Sequence, residues 1–260
     1  MIKYNRKIGQ KLLSEGKTGK YLKYAIGEII LVVIGILIAL QINTWNNANL
    51  DKHKETEYLN NLIEDLNRQK DLIDEQIVHE TTMRLNCEKA LRNLNSNNIN
   101  GDSISVYLQG VTRKSLVIND PTFQDLKNSG NLLLIKDNDL RKKILSFFQY
   151  LDYCVLVIQT SNETVIADFR QFVINNNVVN VNYLDSLTVA GGVDFYVNTI
   201  NVPWASSLQE EGFKDKKNLL KVLNQIAARG RASSVHLDIM NRLKERVELM
   251  REDLVNYINQ

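Results

Sequence analysis

Three histidines are the first residues to test for chemistry, because imidazole is the side chain that binds transition metals most often. His53 and Glu57 stand four residues apart, as do Glu75 and His79, and this spacing places each pair on one face of a helix. His236 has no histidine or cysteine at helical spacing. A structural zinc site takes four ligands, and isolated pairs are common on exposed helix surfaces. We therefore expect no metal site.

Sequence motifs of catalysis and cofactor binding are absent as well. The chain has no Gly-x-Ser-x-Gly elbow, no His-Glu-x-x-His helix and no glycine-rich dinucleotide loop. The run SEGKT at residues 14–18 resembles the end of a phosphate-binding loop, but Lys11 occupies the position of that loop's first glycine. We expect no catalytic residues, no cofactor and no enzymatic activity.

The two cysteines, Cys87 and Cys154, could form one disulfide if both lie in an oxidising compartment. Cys154 falls on the apolar stripe of a predicted helix, whereas Cys87 stands among polar neighbours. The alternative is two unpaired thiols, with Cys154 filling volume in the core. The sequence leaves both alternatives open.

One segment near the N-terminus is apolar enough to cross a lipid bilayer. Residues 25–42 read AIGEIILVVIGILIALQI, and the flanks from Tyr21 to Trp45 supply the roughly 20 residues that about 30 Å of hydrocarbon requires. Tyr21, Tyr24 and Trp45 are placed as interfacial aromatics. We predict a single transmembrane helix at residues 24–45.

The basic residues before this segment predict its orientation. Only Glu15 opposes them before Glu28, whereas the chain beyond Leu40 carries 25 basic and 28 acidic residues. The positive-inside rule then places residues 1–23 in the cytoplasm as a basic tail on the anionic lipid surface, and residues 46–260 in the periplasm of a bacterial inner membrane. The balance of the main domain argues against a nucleic-acid partner. The membrane-surface cations are Lys3, Arg6, Lys7, Lys11, Lys17, Lys20 and Lys23.

A cleavable signal peptide is the main alternative to a permanent anchor, because it also combines a basic region with a short apolar run. No small-x-small cleavage site follows the run, since Ala39-Leu-Gln41 and Asn46-Asn-Ala48 are both poor matches. A lipoprotein would need a cysteine before Cys87. We expect the segment to remain as an anchor.

Three residues within the span form a candidate association face. Gly35 and Ala39 stand one turn apart, and Glu28 projects within about 20° of Gly35 because seven residues are nearly two helical turns. Small residues let two membrane helices approach closely, and an intramembrane carboxylate is expected to face protein. The alternative is that Glu28 sits at the cytoplasmic boundary, near water or Lys23, and that the small residues are merely tolerated.

The rest of the chain predicts an antiparallel bundle of long helices. Apolar residues recur at helical spacing from about Leu59 to Leu94, with Leu85 on the stripe and continuity with the membrane span as an option. A second long helix runs from about Asp137 to Asn175, with Val165 on its stripe. Only 2 prolines and 12 glycines leave few places where helices must stop, and each apolar stripe must be buried against another.

Shorter elements complete the predicted mainly α fold. Asp120 and Pro121 predict a helix start with the aspartate as cap, and Gly130 its stop. The last long helix covers Lys216 to Ile258, with Gly230 as a candidate break. Residues 175–204 predict a small irregular or β excursion, with residues 193–204 the best strand candidate.

Two runs of sequence resemble a known family. LSEGKTGKYLKYAIGEIILVVIGILIALQINTW at residues 13–45 and TFQDLKNSGNL at residues 122–132 are similar to the two recurrent motifs of a family of uncharacterised single-pass membrane proteins common in flavobacteria. The resemblance implies an inner-membrane location with a periplasmic domain. It implies no activity and no site residues.

These observations favour an interaction or scaffold protein that binds copies of itself or a larger envelope complex. A periplasmic sensor or regulatory subunit is the alternative. About 24 residues remain in the cytoplasm, too few for a kinase or cyclase output domain, so a signal would pass to a membrane partner. An envelope enzyme is the third hypothesis.

Overall fold

The computed structural model describes residues 18–109, 111–180, 186–189, 193–196 and 202–259, and it confirms the mainly α fold. The chain divides into two compact units, with the boundary between Glu57 and Tyr58. The elements are α1 (Thr18–Leu94), α2 (Gly101–Gln109), α3 (Pro121–Asn128), a 3₁₀ turn (Asn131–Leu134), α4 (Asn138–Ser161), a π turn (Asn162–Ile166), α5 (Ala167–Asn175), β1 (Ser186–Val189), β2 (Val193–Tyr196), α6 (Pro203–Lys214) and α7 (Lys216–Ile258).

Helix α7 runs antiparallel to both α1 and α4 in the second unit. Residues later in α1 contact residues earlier in α7, at Lys70–Glu248, Asp74–Lys244 (2.5 Å) and Glu80–Arg229 (3.3 Å). Contacts with α4 run in the same sense, at Lys143–Asp253 (2.8 Å) and Tyr150–Arg246. The predicted antiparallel bundle of long helices is confirmed.

Residues 111–119 return the chain along α1 in an extended conformation. The amide of Gln76 donates to Lys114 O at 3.0 Å, and the amide of Gln69 donates to Val117 O at 3.2 Å. Gln69 Oε1 also accepts from Asn119 N at 2.7 Å. Buried glutamines on α1 thus satisfy backbone groups that a sheet would otherwise pair.

The start of α3 is capped by a residue from another helix. Asp65 of α1 accepts from Thr122 N at 3.0 Å, whereas Asp120 caps no backbone N–H of the helix and instead accepts from Gln124 Nε2. The boundary predicted at Pro121 is confirmed and Asp120 occupies the N-cap position as predicted, but its side chain does not make the capping hydrogen bond. Gly130, the predicted stop, has φ +73°, a left-handed conformation that suits glycine.

Most of the predicted apolar stripes are buried, with two exceptions. Leu85 is 41% exposed because the buried positions of α1 pass through Met83 and Cys87 instead. Val165 is 37% exposed because the π turn adds a residue to the turn and brings Ile166 to the core. The candidate break at Gly230 was also wrong, since α7 continues through it.

The buried side chains form two apolar clusters. Cluster one draws mainly from α1, α4 and α7, and its members on these helices are Leu59, Leu62, Leu66, Ile73, Leu140, Ile144, Phe147, Phe148, Leu151, Cys154, Ile158, Met240, Leu243, Val247, Met250 and Leu254. Cluster two draws mainly from α1, α2 and α5 to α7, through Met83, Cys87, Ala90, Leu94, Ile104, Leu108, Phe169, Val173, Phe213, Val222 and Ile226. Strands β1 and β2 pair antiparallel within the predicted excursion.

Candidate functional site

The apolar part of α1 is long and apolar enough to cross a membrane. Its side chains take no part in a core, since the large apolar residues between Ile29 and Ile42 are 47–72% exposed. Glu28, Gly35 and Ala39 are exposed on this segment. A Cβ added to Gly35 would meet nothing within 4 Å.

The structure describes only two of the seven predicted membrane-surface cations. Lys3, Arg6, Lys7, Lys11 and Lys17 lie outside the described residues. Lys20 lies within α1, and Lys23 of the same helix is exposed.

A second site lies inside the bundle, between the two apolar clusters. We call it the polar layer, and each of its side chains is at most 3% exposed. On α1 it falls between Ile73 of cluster one and Met83 of cluster two. Its members are Gln76 and Glu80 of α1, Asn162 of the π turn, and Arg229, Ser233 and His236 of α7.

Glu80 lies at the centre of the polar layer and accepts hydrogen bonds from α7. Ser233 Oγ donates to Glu80 Oε2 at 2.7 Å, and Arg229 Nη1 lies 3.3 Å from the same oxygen. Glu80 Oε1 lies 3.0 Å from His236 Nδ1. Arg229 also donates to Ser233 Oγ at 2.5 Å and to Thr112 O at 3.1 Å. The buried carboxylate is thus neutralised by a buried guanidinium.

These contacts change the pKa of two groups. Burial would raise the pKa of Glu80, but the hydrogen bond with His236, the charge of Arg229 and the hydrogen bond from Ser233 outweigh it and lower the pKa to about 2. Burial lowers the pKa of His79, with Glu80 opposing and Arg229 reinforcing the change. Glu80 is therefore a carboxylate at neutral pH.

Hydrogen bonding in the polar layer is incomplete. Gln76 and Asn162 both donate to Lys114 O, at 3.0 and 3.1 Å, and their own carbonyl oxygens receive no hydrogen bond from the described residues. Arg229 Nε and His236 Nε2 are also buried without a partner there. Each buried polar group left in this way costs about 1–3 kcal/mol. The site therefore combines a neutral charge pair with unused hydrogen-bonding groups.

One family model matches a stretch of the chain that includes the membrane segment and part of the polar layer. Residues 28–95 match the model of a family of unknown function, DUF6090. No curated protein and no solved structure matches the chain. The stretch that matches DUF6090 lies almost entirely in α1, and it includes Glu28, Gly35, Gln76 and Glu80. It does not extend to α7, which supplies the partners of Glu80.

The other candidate residues from the sequence are not brought together. Among the described residues, no group of three or more His, Cys, Asp or Glu side chains could hold a metal ion. Cys87 and Cys154 are both free and buried, in cluster two and cluster one respectively. The polar neighbours of Cys87 in sequence were therefore misleading. Burial raises the pKa of its thiol to about 11.

The sequence contained a signal for the polar layer that the motif search missed. Gln76 and Glu80 continue the alternating spacing of three and four residues by which α1 buries Ile73, Met83 and Cys87. Polar side chains at buried stripe positions indicate an internal polar contact, because such side chains are rarely buried without partners. This signal is distinct from the i,i+4 pairs within one helix, because the charged partner of Glu80 lies on another helix.

Proposed function

We propose that this chain is a membrane-anchored interaction or scaffold protein of a bacterial inner membrane. Residues 1–23 lie in the cytoplasm and residues 46–260 form a periplasmic bundle. The membrane segment associates through Glu28, Gly35 and Ala39 with a second copy of the chain or with a larger envelope complex.

The exposure of the membrane segment carries this proposal. A helix that packed into its own chain's core would bury its apolar stripe, but this segment is exposed on all faces. Lipid can cover these apolar side chains, and the small residues Gly35 and Ala39 would let a second helix approach closely. Such a contact would lie on the face of the helix that also carries Glu28.

Gly35→Leu tests the association face. A Cβ added at this position has nothing within 4 Å, so the variant should change contacts with other molecules more than the fold of the chain. Val33→Leu is the matched control, since Val33 lies about 140° around the helix from Glu28. We expect the unmodified protein to be oligomeric by light scattering in mild detergent, and Gly35→Leu to shift it toward monomer while Val33→Leu does not. A monomeric unmodified protein that copurifies with nothing would show the association hypothesis to be wrong.

The proposed orientation has a separate test. A reporter active only in the periplasm, fused after Gln260, should be active, and a reporter active only in the cytoplasm should be silent. Reversing the charges of the N-terminal cations should disturb insertion, because the positive-inside bias rests on them. The opposite reporter pattern would exclude a periplasmic bundle.

A sensor or regulatory subunit is the second candidate function, and the polar layer favours it. The unused hydrogen-bonding groups in the core could bind the polar atoms of a small ligand. A ligand that binds the folded bundle would raise its melting temperature with concentration, and Gln76→Leu, which removes one of the unused carbonyl oxygens, should weaken that response. The expectations that the protein is not an enzyme and binds no cofactor, metal or nucleic acid stay predictions, and an envelope enzyme stays the third hypothesis.

A further inference from the structure

The polar layer interrupts the apolar core on every long helix that crosses it. On α7 it separates Met240 of cluster one from Ile226 of cluster two, and beyond α4 it separates Ile158 from Phe169. Among the described residues, none belongs to both clusters. The two halves of the bundle are therefore joined through polar contacts, through the backbones of the long helices and through segment 111–119, which carries Val111 of cluster two and Leu116 of cluster one.

The contacts across the polar layer are weaker than the apolar packing on either side. Its buried charge pair gains little over apolar side chains of similar size, because both ions lose their hydration. Gln76, Asn162, Arg229 and His236 each keep one buried atom without a partner in the described chain. Water that entered the layer would satisfy these atoms, which offsets part of the free-energy cost of opening at this level of the bundle.

The backbone changes its geometry at the same level. The π turn begins at Asn162, a member of the polar layer, and separates α4 in cluster one from α5 in cluster two. Single π turns within helices occur frequently at functional sites, and kinks often form there. Apart from the ends of α1 and α7, cluster two is built from three short helices, α2, α5 and α6, whereas cluster one contains the whole 24-residue α4.

We propose that the half of the bundle around cluster two opens as one unit at the polar layer while cluster one stays folded. The π turn is the hinge of this motion in the α4–α5 segment, and the ends of α1 and α7 move with the unit. Local opening in contiguous units is a general property of folded proteins. This goes beyond the proposed anchoring function, since it gives the bundle two states between which a partner or ligand could select.

The two cysteines are natural reporters of this opening, one in each cluster. Cys87 and Cys154 are each 1% exposed, so a maleimide reaches either thiol only after the surrounding structure opens. We expect Cys87 to react faster than Cys154 by about tenfold or more in the full-length protein in mild detergent. The two single-cysteine variants, Cys87→Ser and Cys154→Ser, assign the rates. Equal rates for both thiols, which mean that all labelling follows global unfolding, would overturn the proposal.

Hydrogen exchange followed by mass spectrometry provides a second measurement without substitution. Peptides from α2, α5 and α6 should share one protection factor, about tenfold or more below that of peptides from α4. The same protection in both sets of peptides would contradict an independent opening. This comparison holds even if a cysteine variant fails to fold.

An apolar version of the polar layer tests its role as the opening level. Glu80→Leu, Arg229→Met and His236→Leu together should raise the protection of cluster-two peptides by about tenfold or more. The matched control is Asp238→Asn with Arg242→Gln, which removes an exposed ion pair from the same helix and should leave protection unchanged. An unchanged difference between the two clusters in the apolar version would assign the opening to another part of the bundle.

Discussion

Replacing Arg229 by methionine should lower the free energy of unfolding by about 3–5 kcal/mol. Methionine fills much of the same volume but removes the guanidinium, which lies 3.3 Å from Glu80 Oε2 and donates to Ser233 Oγ and Thr112 O. The carboxylate of Glu80 then stays buried with uncharged partners, and the Thr112 carbonyl loses a donor. Since domains of this size are stable by about 5–15 kcal/mol, the loss is a large fraction of the total.

Urea unfolding of the full-length chain in detergent, followed by circular dichroism, measures this loss. Arg242→Met is the control, because Arg242 forms an exposed pair with Asp238 and such pairs contribute about 0–1 kcal/mol. Adding Glu80→Leu to Arg229→Met should recover most of the stability, because no buried charge is then left without its partner. Equal, small losses at Arg229 and Arg242 would refute the view that Arg229 neutralises a buried carboxylate.

The remaining predictions concern acid, packing and capping. The pKa of Glu80 is about 2 in the folded chain against an ordinary 4.5. Its contribution to the free energy of unfolding, about 3 kcal/mol, is therefore complete above about pH 5 and is lost as the pH falls toward 2. The urea midpoints of Glu80→Gln should vary less with pH over this range than those of the unmodified protein. Leu151→Ala should cost about 2–5 kcal/mol, because Leu151 is fully buried, and Lys142→Ala less than about 0.5 kcal/mol; similar losses in thermal unfolding would contradict the assigned stripe. Asp65→Ala should cost about 1 kcal/mol or more through the lost cap of α3, and an equal or larger cost of Asp120→Ala would show that the cap is assigned to the wrong residue.

The long helices were predictable because their signals are local. Apolar residues at alternating spacings of three and four residues mark one face of a helix, and few prolines or glycines interrupt them. The boundaries of α7 and of the α4–α5 segment follow from this pattern. The pattern failed at Val165, where a π turn shifts the face by one residue. That shift depends on the tertiary contacts of the turn, and a periodic sequence pattern does not predict them.

The polar layer was predictable only in part. The buried stripe positions of Gln76 and Glu80 indicate that something polar faces them, but they do not name the partner. Glu80 and Arg229 are 149 residues apart in the chain, and many alignments of α1 with α7 would bury their apolar stripes equally well. The alignment observed here is the one that brings Arg229, Ser233 and His236 to the same carboxylate.

The sequence by itself determined the helical character of the chain, the segment apolar enough to cross a membrane and the face that each long helix buries. These follow from hydropathy and period, which are properties of neighbouring residues. The tertiary structure decided that Asp65 and not Asp120 caps α3, that Cys87 lies in a core, and that Glu80 pairs with Arg229 and His236. These depend on the register between helices, and register is set by the sum of many contacts between residues that are distant in the chain.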